Sequence, residues 1–116
     1  MHALIIEDET IIAMDVERVL RDCGFSSVAN AISEEEAIAA ASRHCPDLIT
    51  CNVRLSPGSG IKVIASIHQQ RPIPVVFITG SPDEARARCP GYAVLTKPFT
   101  DADLRREVSW VMAGTD

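Results

Sequence analysis

The sequence predicts a doubly wound α/β domain, a five-stranded parallel sheet with helices on both faces. Three observations carry that expectation. Short apolar runs and amphipathic stripes alternate along all 116 residues. Most of the runs are continuously apolar rather than alternating, as in strands covered on both faces. The order is strand then helix, five times over, which calls for parallel pairing through right-handed crossovers.

Leu4-Ile5-Ile6 reads as the first buried strand. Ile12, Val16, Val19, Leu20 and Cys23 then form one stripe of a helix, and Gly24 stands where a left-handed residue would end it. Ser27 to Ala31 is a weaker strand. Ser33-Glu34-Glu35-Glu36 reads as a capping box, with the Ser33 hydroxyl on the Glu36 amide and the Glu36 carboxylate reaching back. An alanine-rich helix follows to about His44. Leu48 to Cys51 is the third strand, and Ser56-Pro57-Gly58-Ser59-Gly60 is a loop. Val63, Ile64 and Ile67 face inward on the next helix. Val75-Val76-Phe77-Ile78 is the strongest strand. Ser81 to Pro90 holds a short polar helix with Pro82 in its first turn, and little for it to pack. Tyr92 to Thr96 is the fifth strand. Thr100 caps a final helix that buries Leu104, Val108 and Val111.

At this length the chain fits one domain, 1–116. Its 47% apolar content supports a core, and its net charge of -5, with no basic run, argues against direct nucleic-acid binding. No apolar stretch is long enough to span a membrane, and Met1-His2-Ala3-Leu4 leads straight into acidic residues rather than a signal peptide. A cytoplasmic protein is expected. Cys23, Cys45, Cys51 and Cys89 are widely spaced, which suggests single buried thiols; His2, His44 and His68 are equally scattered and receive no ligand role.

In parallel sheets ligands bind beyond the carboxyl ends of the strands. Here those ends carry Glu7 and Asp8 (first), Asn52 (third), Thr79 (fourth) and Lys97 (fifth). Singly, each has an ordinary reading as a cap, turn residue or surface charge. Together they offer hard oxygen ligands suited to Mg²⁺, beside a hydroxyl and an ammonium suited to a phosphoryl group.

These segments resemble the receiver domain of bacterial two-component response regulators. The resemblance runs from Leu4-Ile5-Ile6-Glu7-Asp8-Glu9 through Pro46-Asp47-Leu48-Ile49 and Phe77-Ile78-Thr79-Gly80 to Leu95-Thr96-Lys97-Pro98-Phe99. It implies a flavodoxin-like (βα)5 fold with strand order 2-1-3-4-5 and a switch controlled by phosphoryl transfer. It also implies Mg²⁺ held by Glu7, Asp8, the Asn52 position and the Arg54 backbone carbonyl. Thr79 would be the switch hydroxyl, Lys97 the phosphoryl-pairing lysine, and Lys97-Pro98 a candidate cis peptide. The implied partners are a sensor histidine kinase or phosphotransferase and a downstream protein on the face of the fourth helix, fifth strand and fifth helix. Trp110, off the buried stripe, is a candidate contact there, on a monomer or weak homodimer. The Phe-Ile-Thr-Gly run is similar to an alphaproteobacterial subgroup carrying Phe-Ala-Thr-Gly.

The central position departs from the family, which places a phosphoacceptor aspartate where this chain has Asn52. An amide is a poor nucleophile and cannot give an acyl phosphate, so this chain should not be phosphorylated at the usual site, and its Mg²⁺ binding should be weakened. One charge fewer should also relieve repulsion on the order of 1 kcal/mol. Two readings stay open: a natural atypical receiver, or an Asp→Asn substitution in an ordinary one. Val94 holds the family's aromatic switch position, with Tyr92 read as a packed strand residue, and Pro57 lies one place late.

Three other functions compete. A phosphorylation-independent interaction module (a pseudo-receiver) follows from Asn52 itself. A phosphotransferase-type enzyme would need Asp8 as nucleophile and a cap over its substrate. A flavin protein would need a phosphate loop where Glu7-Asp8-Glu9 repels phosphate.

Overall fold

The computed structural model describes residues 1–114; residues 115–116 of the expected domain lie outside them. Five strands alternate with five helices: β1 (His2–Ile6), α1 (Thr10–Asp22), β2 (Ser27–Ala31), α2 (Glu34–Arg43), β3 (Leu48–Asn52), α3 (Gly60–His68), β4 (Val75–Thr79), α4 (Pro82–Arg88), β5 (Ala93–Thr96) and α5 (Asp101–Ala113). The sheet is parallel throughout, in the order β2-β1-β3-β4-β5. This is the doubly wound architecture expected from the alternation, with the flavodoxin-like strand order that the resemblance implies.

The period of two along each strand sorts side chains between two cores. Leu4, Ile6, Ile49, Cys51, Val75 and Phe77 pack with α2, α3 and α4. Ala3, Ile5, Leu48, Val76 and Ile78 pack with α1 and α5. Because β1, β3 and β4 are buried at every position, their runs had to be apolar at both parities.

The local signals mostly hold. Gly24 follows α1 with φ +102°, the left-handed region expected of it. Thr100 and Asp103 form a full capping box at the start of α5. At α2 the Ser33 hydroxyl accepts the Glu36 N–H at 3.2 Å, but the Glu36 carboxylate reaches Ile32 N–H instead of Ser33. On α1 the expected stripe is adjusted: Ile12 and Cys23 are half-buried, and Ala13 is fully packed. The polar α4 still buries Ala85 completely.

Three expectations need correction. β5 begins at Ala93, and Tyr92 stands exposed before it, its ring edge-on to Phe77 at 5.5 Å and its hydroxyl 2.9 Å from His68 Nδ1. The Tyr92 backbone N–H is taken by Cys89 O at 3.3 Å in the turn after α4, and the ladder with β4 begins only at Ala93. Of the cysteines only Cys51 is buried; Cys45 is exposed and Cys23 and Cys89 are half-buried. Their positions at helix ends and in a loop put three of them near the surface. The histidines are not isolated either. His2, buried at the start of β1, stacks on His44 with ring centroids 3.6 Å apart and planes 5° from parallel.

The histidine stack predicts a pH dependence. Burial holds the His2 ring below its ordinary pKa, and the facing His44 adds to this, against Ser27 and Asp47, which favour the proton. The unfolded chain therefore binds protons that the folded chain excludes. His2 leaves stability intact above its unfolded pKa of about 6.5 and lowers it as pH falls through that value toward the folded pKa. Urea denaturation of the parent and of His2→Gln at pH 7 and pH 5 should show the parent losing more stability than the variant on acidification. Equal losses would mean that His2 is not the linked group.

Candidate functional site

All five strands run parallel, so their carboxyl ends share one edge of the sheet, and the connections reverse direction between β1 and β3. The β1–β2 ladder extends one step as Glu7 N–H bonds Ala31 O at 3.0 Å, and the β4–β5 ladder extends as Lys97 N–H bonds Thr79 O at 2.9 Å. These backbone bonds aim Glu7 and Lys97 over the same crevice.

Glu7 is the centre of the site. It is only 3% exposed, yet both carboxylate oxygens have partners. Its Oε1 lies 3.2 Å from Lys97 Nζ. Its Oε2 accepts from Asn52 Nδ2 at 3.2 Å and from Glu9 N–H at 3.2 Å. Lys97 Nζ also bonds Glu9 Oε2 at 3.0 Å, so one ammonium bridges two carboxylates. Burial pushes the Glu7 carboxyl above its ordinary pKa, while the Glu9 amide and Lys97 pull it down. Behind it, burial holds the Cys51 thiol neutral, far above the usual thiol range.

The other expected residues fall around this centre. Asp8 is half-buried between β1 and α1. Thr79 is buried at the end of β4, and its hydroxyl accepts Ser81 N–H at 2.9 Å. Arg54 follows β3, forms an isolated antiparallel bridge with Ser59, and sends its guanidinium 3.0 Å to Glu84 of α4. Lys97-Pro98 is cis, and so is Ser56-Pro57, which the sequence did not signal. Val94 is half-buried in β5. Trp110 stands 61% exposed on α5, away from the crevice. It lines a hollow of about 400 Å³ with Tyr92, Val94 and Arg106.

Sequence reasoning missed Glu9 as a partner of Lys97, and Glu34. The Glu34 carboxylate accepts Ser59 N–H at 2.7 Å across the loop after β3. The only hint of Glu9 was its place in the acidic run, and nothing in the spacing of Glu34 pointed to Ser59.

The donor set suits Mg²⁺ in chemistry: two carboxylates, an amide oxygen and a backbone carbonyl are hard ligands. Asn52 currently turns its amide nitrogen toward Glu7, so rotation of the amide is needed to present its oxygen. When bound, the ion would offset negative charge on an incoming phosphoryl group.

Comparison with known proteins finds relatives over most of the chain. The family model described as "Response regulator receiver domain" matches residues 3–109. Over 107 residues the chain is 37% identical to the transcriptional regulatory protein PdtaR of Mycobacterium tuberculosis, covering 89% of this chain and 52% of the relative. The phyllosphere-induced regulator PhyR of Methylorubrum extorquens is 33% identical over 110 residues, covering 91% of this chain and 41% of that protein. The chain thus spans about half the length of the curated relatives it matches. Among solved structures, the receiver domain of Erythrobacter litoralis PhyR superposes with a TM-score of 0.89 at 30% identity, covering 97% of this chain and 89% of that one. No described helix is long and apolar enough to cross a membrane. The chain belongs to the response regulator receiver family, whose domains act in two-component signalling rather than as free-standing enzymes.

Proposed function

We propose that this chain is one receiver domain over 1–116, a cytoplasmic switch whose site is complete except for its nucleophile. The observation that carries the reading is the Glu7 carboxylate, buried and shared between Lys97 and Asn52. A carboxylate with that burial needs a cation close by, and a site that receives phosphoryl groups needs both that cation and a place for Mg²⁺. Glu7, Asp8, the Asn52 amide oxygen and the Arg54 carbonyl would hold the ion, more weakly than three carboxylates do. Thr79 and Lys97 would meet the phosphoryl oxygens, which requires the Thr79 hydroxyl to leave Ser81 N–H.

Asn52 removes the one step that needs a carboxylate. In an aspartate receiver a carboxylate oxygen attacks phosphorus and a P–O bond forms, while the donor's bond to phosphorus (P–N in a phosphohistidine, P–O in acetyl phosphate) breaks with its electron pair leaving on the donor. An amide offers no comparable anionic oxygen. Its Nδ2 instead donates to Glu7, a bond that an ionised aspartate could not make. That bond also favours a second reading, a pseudo-receiver held in one state and read by partners without phosphorylation. In either case the output face is α4–β5–α5, with exposed Trp110 and the hollow beside it taking a downstream protein. A histidine kinase or phosphotransferase is the input partner, and the domain is a monomer or weak homodimer.

The test treats the chain and Asn52→Asp with Mg²⁺ and acetyl phosphate and reads intact mass. We expect the parent to stay unmodified and the variant to gain one labile phosphoryl group. A variant that binds Mg²⁺ yet gains nothing would overturn the receiver-site reading in favour of the pseudo-receiver.

A further inference from the structure

The segment between β3 and α3 carries Arg54, and its shape depends on a residue from a different helix. Leu55 N–H bonds Gly58 O at 3.1 Å, and Gly60 N–H bonds Val53 O at 2.8 Å, closing residues 53–60 into a small hairpin. Two side chains tie that hairpin to its neighbours. Arg54 reaches Glu84 of α4 at 3.0 Å, an exposed pair of the kind that contributes little. On the other side the Glu34 carboxylate of α2 accepts Ser59 N–H at 2.7 Å, a short, charge-assisted bond.

The surroundings of Glu34 are built for this contact. Gly58 has φ +116°, and a Cβ there would collide with the Glu34 carboxylate, so the glycine makes room for it. Ser59 is the N-cap of α3, its hydroxyl accepting Ile61 N–H at 3.2 Å. Glu34 itself opens α2. One carboxylate therefore sits at the amino-terminal ends of two helices, where negative charge is favoured. Ser59 bridges back to Arg54, so the register of the hairpin passes from Glu34 to the Arg54 backbone.

We infer that Glu34 is a positioning residue for the strand-end site: it locks the hairpin and so sets the Arg54 carbonyl relative to Asn52. The inference rests on the reading of that pocket as an Mg²⁺ and phosphoryl site. It makes α2 a mechanical support of the site, although no α2 residue lies among the expected ligands. Supports of metal ligands matter at a known scale, with losses of about tenfold or more in affinity when they are removed.

The experiment uses the Asn52→Asp chain as parent and adds Glu34→Gln, Glu34→Asp or Glu34→Ala. Mg²⁺ affinity is read by calorimetry, and unfolding by urea is measured beside it. Glutamine keeps an oxygen at the same reach, and aspartate keeps the charge but shortens the arm by one carbon. The expected result is a Kd within about twofold of the parent for glutamine and about tenfold weaker for aspartate and alanine. Equal affinity in all four proteins would overturn the inference, as would weakening that simply follows lost stability across the series. Amide exchange at Ser59 gives a readout without metal, in the chain as it stands. Its protection should survive Glu34→Gln and be lost in Glu34→Ala; unchanged protection would also overturn the inference. A parent that binds no Mg²⁺ refutes the site reading, while lost Ser59 protection in Glu34→Ala would still uphold the Glu34 lock.

Discussion

Gly60→Ala is expected to cost about 3 kcal/mol of stability, the upper range for forcing extra volume into a packed site. The reason is space rather than backbone conformation. Gly60 opens α3 directly against the end of β3, and a Cβ there would collide with the Asn52 carbonyl oxygen and lie 2.5 Å from Cys51 Sγ. Neither neighbour can yield cheaply, since one is backbone in the sheet ladder and the other is fully buried. The helix must shift outward, which stretches the 2.8 Å bond from Gly60 N–H to Val53 O and moves Asn52 with it. Urea denaturation should show a lower midpoint with an unchanged slope. Gly80→Ala is the control, because a Cβ at Gly80 meets nothing within 4 Å, and it should stay within about 0.5 kcal/mol of the parent. A Gly60→Ala loss no larger than that of the control would mean the α3–β3 contact is softer than its geometry implies.

Lys97→Met should cost about 2–3 kcal/mol at neutral pH, somewhat under the usual figure for breaking a fully buried ion pair. The discount reflects the lysine, whose side chain is 16% exposed against 3% for Glu7. Without the ammonium, Glu7 keeps only the Asn52 and Glu9 N–H donors in a desolvated position. The loss is therefore the cost of stranding a charge, not the net worth of the pair. That distinction is measurable. Glu7→Gln in the Lys97→Met background should recover much of the stability, giving a strong non-additive coupling in a double-mutant cycle. Additive losses would show that Lys97 contributes through its aliphatic stem or through exposed Glu9 alone.

Both predictions concern contacts between segments far apart in the chain, and this marks where sequence reasoning stopped. The strands read at Leu48 to Cys51 and Val75 to Ile78 were legible because burial on both faces favours a mainly apolar run, broken in β3 by Thr50. The caps at Ser33 and Thr100 were legible because each hydroxyl serves an amide three residues on. Strand polarity then placed Glu7, Asp8, Asn52, Thr79 and Lys97 at one edge, and that gathering is what the fold delivers. The partners within it were another matter. Pairing Lys97 with Glu7 and Glu9 spans about ninety residues, and no spacing rule connects them. Tyr92 carried a strand-like residue type, but its backbone N–H turns to Cys89 O, and its hydroxyl meets a histidine from α3.

The sequence by itself determined the architecture, the gathering of polar residues at the carboxyl ends of the strands and the presence of an asparagine rather than an aspartate at position 52. Those depend on local periodicity, on the handedness of parallel crossovers and on the identity of one residue, all of which are written along the chain. Only the tertiary structure decided that Glu7 is the buried hub, that Asn52 donates to it, that Glu34 reaches Ser59, and that His2 lies against His44. Each of these is a contact between segments that only the fold brings together. Its strength depends on burial and on distances of about 3 Å, which no local pattern encodes.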